Sequence, residues 1–177
     1  MPGSGRLSDL SSRIYVEMLF STKAEYGVRL MVELGRRAPA RGGDGPVALG
    51  AVAESETLPL SYLEHLVAKL REAGLVTSVR GAHGGYRLAR PASEIEMLDV
   101  VQALEGPIAP MECFNEMREG RVLCSHESDG DRACATKLLW TRVHGGITKA
   151  LAGTTLAELV EFAEQHAARE PVAGQAA

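Results

Sequence analysis

Cysteine is scarce in this chain: Cys113, Cys124 and Cys134 are the only three among 177 residues. An odd number of thiols makes a poor disulfide framework. Ten and nine residues separate them, so there is no close Cys-x-x-Cys pair of the kind zinc sites usually show. No apolar run approaches the roughly 20 residues of a membrane span, and residues 1–12 contain no apolar core of signal-peptide length. Neither a membrane partner nor secretion is expected, and free thiols suit a reducing cytoplasm. No Ser/His/Asp array, phosphate-cradling glycine loop or paired-carboxylate site emerges, so an enzyme is not expected. There is no internal repeat either.

Positive charge is also lacking overall, since the net charge is -4. A whole-chain average of that sign speaks against nucleic acid, but charge acts by patch. Between residues 69 and 90 stand Lys69, Arg71, Arg80, Arg87 and Arg90 against the single anion Glu72. The remainder is acidic, as suits a protein that meets phosphate with one face. With 45% hydrophobic and 24% charged residues the composition is that of an ordinary globular protein. The length allows one domain with a full core, or a small domain carrying an oligomerisation element.

Residues 1–17 read as a flexible leader, with Met18 as a second candidate start. Thr22-Lys-Ala-Glu25 has the spacing of a capping box, and Tyr26, Leu30, Met31 and Leu34 then recur at helical intervals. After a glycine-rich loop at 41–46, residues 47–55 read as a short helix and 60–72 as a stronger one, joined by a turn at 57–59. In the second of these, Leu60, Leu63, Leu66, Val67 and Leu70 form an apolar stripe, leaving Ser61, Tyr62, Glu64, His65, Lys69 and Arg71 to point elsewhere. Two short helices across a tight turn make a helix-turn-helix candidate. Residues 75–79 and 86–89 have strand composition around Arg80-Gly-Ala-His-Gly-Gly85, a hairpin with a glycine-rich tip. A hairpin placed directly after a recognition helix is the wing of a winged helix, and its glycines would allow close backbone approach to phosphate.

A helix fits 98–105, stopped by Gly106 and Pro107, and the three cysteines follow in a polar segment. A buried structural cysteine belongs on an apolar helix or strand rather than in Cys124-Ser-His-Glu-Ser-Asp-Gly-Asp-Arg-Ala-Cys134, so metal or redox chemistry leads. Beyond them Leu139, Val143, Ile147 and Leu151 recur every fourth residue, giving a long helix with one apolar seam that Gly145 and Gly146 weaken in isolation. Such a helix depends on packing against a partner. Thr155-Leu-Ala-Glu158 repeats the capping-box pattern and opens a last helix ending near Gln165, and 167–177 reads as a disordered tail. The expected class is mostly α (α+β). The expected divisions are a winged helix-turn-helix DNA-binding domain at 18–106, a cysteine-containing loop at 107–136 and dimerisation helices at 137–166. Trp140 and Tyr86 are read as core anchors.

The stretch from Leu60-Ser-Tyr-Leu-Glu-His-Leu through Arg80-Gly-Ala-His-Gly-Gly-Tyr-Arg-Leu-Ala89 closely resembles the small winged-helix repressors of the IscR, NsrR and CymR type. Ser21-Thr-Lys-Ala-Glu-Tyr-Gly-Val28, Leu139-Trp140 and Thr154-Thr-Leu-Ala-Glu-Leu-Val160 are similar to the same family, so the resemblance covers residues 18–165. It implies a homodimer in which the long helix crosses its partner, with recognition helices in successive major grooves of a double-stranded, pseudo-palindromic operator. Cluster-binding members carry three cysteines between the winged domain and the long helix, as here, whereas CymR-type members lack them. Two departures stand out: the cysteines are spaced more widely than is usual in the family, and the position where IscR-type members have a ligating histidine, three residues after the last cysteine, is Lys137. A protonated lysine is a poor iron ligand.

The resemblance therefore implies an iron-sulfur cluster, 2Fe-2S or 4Fe-4S, held by Cys113, Cys124 and Cys134, with thiol or disulfide sensing, zinc and no cofactor as the other readings. For the fourth ligand, Glu25 matches the first-helix position where NsrR-like members use a carboxylate; the competing reading is that it serves the Thr22 capping box. His126, two residues past Cys124, is a second candidate. On the DNA side Ser61, Tyr62, Glu64 and His65 occupy the first turns of the recognition helix, where side chains meet base edges, with a solvated helix face as the alternative. Lys69 and Arg87 are read as phosphate contacts and Arg80 as a wing-tip reader of the minor groove. The implied function is a repressor of cluster-assembly genes responsive to its cluster. The alternative is a cofactor-free or nitric-oxide- or redox-responsive regulator of the same fold, for example of cysteine metabolism.

Overall fold

Helix α1 (Thr22–Arg36) buries Ala24, Gly27, Leu30, Met31 and Leu34, the stripe that its three- and four-residue spacing creates. The computed structural model describes residues 20–38, 45–108, 117–118, 121–122 and 135–167. The helix begins where the sequence indicates, but its cap differs. Ser21, not Thr22, is the N-cap, with its Oγ accepting from the Lys23 amide at 3.1 Å. The glutamate that answers it is not Glu25. It is Glu105, whose Oε1 accepts from the Ser21 amide at 3.0 Å, the Ser21 hydroxyl at 2.5 Å and the Ala24 amide at 3.3 Å. A remote carboxylate thus does the work that a capping box assigns to a local one.

Two short helices follow, α2 (Leu49–Glu56) and α3 (Leu60–Glu72). They are joined across Thr57, which has a left-handed backbone (φ 54°). Helix α2 starts two residues later than expected. Val47 exchanges both backbone hydrogen bonds with Tyr86, at 2.8 Å each, and a β-branched residue committed to that bridge cannot open a helix. Leu63, Leu66, Val67 and Leu70 of α3 are buried in the same core as the α1 stripe.

The wing is the antiparallel pair β1 (Val76–Val79) and β2 (Gly85–Leu88), in the register Val76↔Leu88 to Val79↔Gly85. Its last glycine serves the protein's own backbone rather than phosphate. A Cβ at Gly85 would lie 2.4 Å from the Val47 carbonyl oxygen, so only glycine lets the Val47 segment pair alongside the hairpin.

After a 3-10 turn at Ala92–Glu94, helix α4 (Met97–Glu105) crosses α1 at Gly27, where a Cβ would sit 2.1 Å from Leu104 Cδ1. A two-stranded ladder, β3 (Met117–Arg118) with β4 (Arg121–Val122), lies in the segment beyond. Helix α5 (Ala135–Ala152) has 18 residues, a rod of about 27 Å at 1.5 Å per residue. Leu138 and Leu139 on it are 60% and 56% exposed. Trp140 is half-buried and lies outside the core cluster, against the expectation of a core anchor, whereas Tyr86 does pack on the core.

Helix α6 (Leu156–Ala167) opens with the capping box as read: the Thr155 amide donates to Glu158 Oε2 at 3.0 Å and the Glu158 amide to Thr155 Oγ1 at 3.3 Å. It packs against the elements of the winged domain. Leu156 and Val160 are fully buried in the core of the winged domain. The Met97 amide donates to the Thr154 carbonyl and the Leu156 amide to the Ile95 carbonyl, both at 2.9 Å. The chain thus leaves the domain through α5 and returns to it in α6. No described helix is long and apolar enough to cross a membrane, and among the described residues no buried side-chain nitrogen or oxygen lacks a partner. The expected leader, most of the cysteine loop and residues 168–177 of the expected tail lie outside the described residues, while Ala167 closes α6.

Candidate nucleic-acid interface

Helix α3 repeats roughly every 3.6 residues, so burying positions 63, 66, 67 and 70 turns Ser61, Glu64, His65 and Arg71 outward. All four are exposed. They offer a carboxylate acceptor, an imidazole and a guanidinium, groups able to meet base edges and phosphates, and Leu60 at the helix start is exposed beside them. Tyr62 is different. It is half-buried, its ring edge-to-face with Tyr26 of α1 at 5.7 Å between centroids and 85° between planes. That pair props the recognition helix on α1, leaving the phenol body as a packing group.

Lys69 is exposed as well, but its ammonium is engaged. Its ammonium donates to the Leu104 carbonyl at 3.1 Å, satisfying one of the orphan acceptors at the C-terminal end of α4, where a cation is also favoured by the helix dipole. Arg90, just past the wing, forms an ion pair with Asp99 in the first turn of α4. Neither tie is legible in local sequence, because each joins elements 9 and 35 residues apart.

On the wing, Arg80 is exposed immediately after β1, at the mouth of the hairpin. Arg87 is exposed on β2 and its Nε lies 3.4 Å from Oγ1 of Thr77, its cross-strand neighbour. With Lys69 tied to a backbone carbonyl and Arg90 to Asp99, Arg71, Arg80 and Arg87 are the exposed cations of the patch between residues 69 and 90 for which neither kind of tie is seen among the described residues.

The three cysteines and His126 lie outside the described residues, and of Lys137 only the backbone, in the first turn of α5, is described. Glu25 is exposed on α1, with its carboxylate 4.0 Å from Arg29 Nη1. Arg29 is held chiefly by Glu56, whose Oε2 accepts from its Nε at 2.8 Å and whose carbonyl accepts from its Nη2 at 2.7 Å. Since Glu105 caps α1, Glu25 has no capping task. Among the described residues no group of three or more His, Cys, Asp or Glu side chains is arranged to hold a metal. Burial pushes the Glu105 carboxyl up, but the two Ser21 hydrogen bonds and the Lys23 charge outweigh it, so the group titrates below its ordinary value.

A family model described as Rrf2, iron-dependent transcriptional regulator, matches residues 20–162. The chain is 36% identical over 147 residues to the transcriptional regulator CymR of Bacillus subtilis, covering 83% of this chain and 93% of the relative. It is 37% identical over 147 residues to the transcriptional regulator IscR of Photorhabdus laumondii, covering 83% and 82%. Among solved structures, that of T. potens IscR superposes with a TM-score of 0.65 at 36% identity, covering 85% of this chain and 90% of the other. The matched span takes in the winged helix, α5 and the opening of α6, and its relatives are regulators of transcription rather than enzymes. The chain belongs to the Rrf2 family of transcriptional regulators, with a winged-helix fold.

Proposed function

We propose that this regulator is a cytoplasmic homodimer that represses genes of iron-sulfur cluster assembly, and that its operator binding is controlled by a cluster held by Cys113, Cys124 and Cys134. The observation that carries this reading is the placement of every thiol in the chain between α4 and α5. Three soft donors suit iron-sulfur chemistry, whose response to oxidants and to iron supply is what the group would contribute when bound. The β3–β4 ladder supports it. Met117 pairs with Val122, so in sequence Cys113 stands four residues before the open end of the ladder and Cys124 two residues after that same end.

For the remaining ligand, Glu25 is the favoured group: an exposed carboxylate freed from capping, on the helix whose N-terminus is bonded to the end of α4. His126 is the other candidate. The exposed Leu138 and Leu139 support a second copy as the partner of α5. In the dimer, Ser61, Glu64 and His65 would read base edges, Arg87 would hold phosphate, and Arg80 would enter the minor groove. Tyr62 and Lys69 would act by holding α3 in place.

A second reading rests on the equal match to CymR, described for B. subtilis as the global cysteine regulator, and on a further similar structure described as an oxidized form of Staphylococcus aureus CymR. In it the thiols respond to oxidation directly, without a cluster. Anaerobic purification separates the two. A brown protein with visible absorption that is lost on Cys113→Ala supports the cluster, and a colourless protein with full operator binding removes it. If Glu25 is the fourth ligand, Glu25→Ala alters that absorption or its persistence; an unchanged spectrum assigns the position elsewhere.

A further inference from the structure

We infer that α4 is the relay between the cysteine segment and the DNA-reading elements, and that Lys69 and Arg90 are its positioning residues. The inference rests on the reading that the cysteine segment is the sensor. Helix α4 ends at Glu105, and the segment that carries the cysteines begins directly after it. At that end two polar ties converge. The Lys69 ammonium of the recognition helix donates to the Leu104 carbonyl at 3.1 Å. The Glu105 carboxylate, one residue on, binds the Ser21 amide and hydroxyl and lies 3.4 Å from the Lys23 ammonium, fixing the start of α1. At the other end of α4, Asp99 holds Arg90 at the foot of the wing. One nine-residue helix therefore grips the recognition helix at its C-terminal turn and the wing near its N-terminal turn.

The apolar packing alone would not do this. Leu104 is fully buried against Gly27 of α1, which sets the distance between those helices, but apolar contact is non-directional and gives no tie to a particular atom of α3. The Lys69 tie is directional and falls on the last turn of α4. A change in the chain leaving Gly106 would tilt or fray that turn, withdraw the Leu104 carbonyl from Lys69 and release the end of α3. Lys69 would then have no direct DNA role, although its charge and its place on the recognition helix resemble those of a phosphate contact.

Salt dependence and coupling test this together, on the full-length protein purified anaerobically. Operator affinity is measured with the cluster loaded and after its removal. In Lys69→Met, which keeps the aliphatic stem and loses the donor, a wild-type difference of fivefold or more between the two states is expected to shrink to below about twofold. The visible spectrum and the slope of log affinity against log salt should stay as in wild type. Lys69→Arg, which can still donate to the carbonyl, is expected to restore the difference. A slope shallower by about 0.9 would make Lys69 a phosphate contact and overturn the inference. An undiminished difference in Lys69→Met would overturn it as well, while leaving the cluster reading intact. A colourless wild-type protein would sink the cluster reading and the relay with it. For the wing, Arg90→Glu and Asp99→Arg should each narrow the difference and the double exchange should recover it; additive losses would exclude Arg90 from the relay.

Discussion

Helices α3 and α5 both carry a leucine-rich stripe, and they dispose of it in opposite ways. In α3, Leu63, Leu66, Val67 and Leu70 are all buried in the core of the chain's own winged domain, and of the stripe only Leu60 at the helix start stays exposed. In α5, Leu138 and Leu139 stand more than half exposed, while Leu151 near its end is packed on that core. Apart from Leu60, the apolar face of α3 is covered within the chain, and the rest of its outer face is polar. Leu138 and Leu139 of α5 stay largely exposed, and exposed hydrophobic area of that kind favours association.

The largest effect separating the two helices should come from the α3 core. Leu66→Ala removes a buried side chain and is expected to cost roughly 2–5 kcal/mol in urea denaturation. A cost below about 1 kcal/mol would mean that the core closes without it. The paired change Leu138→Ser and Leu139→Ser should leave the circular dichroism of the winged domain in place while the sedimenting species falls from dimer to monomer. Unfolding instead of dissociation would place those leucines in the chain's own core. On the recognition side, Arg80→Ala should weaken operator binding by about 1–3 kcal/mol and binding to random DNA by less; equal losses would reduce Arg80 to a phosphate contact.

The smallest effect expected is electrostatic. Glu105 titrates below its ordinary value in the folded chain, so its ionised form contributes stability that is present above the unfolded carboxylate value and lost as pH falls through the depressed one. Thermal melts should therefore show a steeper acid limb in wild type than in Glu105→Gln. Parallel limbs would mean that the Ser21 and Lys23 contacts contribute nothing to folding.

Much of the fold was legible because its signals are periodic or local. The stripe of α1, the turn into α3, the hairpin and the Thr155–Glu158 cap all follow from spacing within a few residues. What was missed depends on contacts between distant positions. Glu105 replaces Glu25 at the α1 cap, Val47 leaves its helix to bridge Tyr86, Lys69 turns from the presumed phosphate to Leu104, and α6 returns to the core. Each of these chooses between two locally acceptable states, and only tertiary packing decides between them. In the candidate DNA site Ser61, Glu64, His65, Arg80 and Arg87 are exposed, as a base reader and a solvated face would both be, whereas Tyr62 is shared with Tyr26. Residue type alone does not distinguish a tyrosine that reads a base from one that props a helix.

The most direct test of the whole account is an anaerobic operator titration of one preparation, before and after its cluster is stripped by a chelator and again after it is rebuilt. A change in affinity of at least fivefold is expected. It should reverse on reconstitution and be absent in Cys113→Ala. A protein that is colourless as isolated, and binds its operator equally well before and after the treatment, would contradict it.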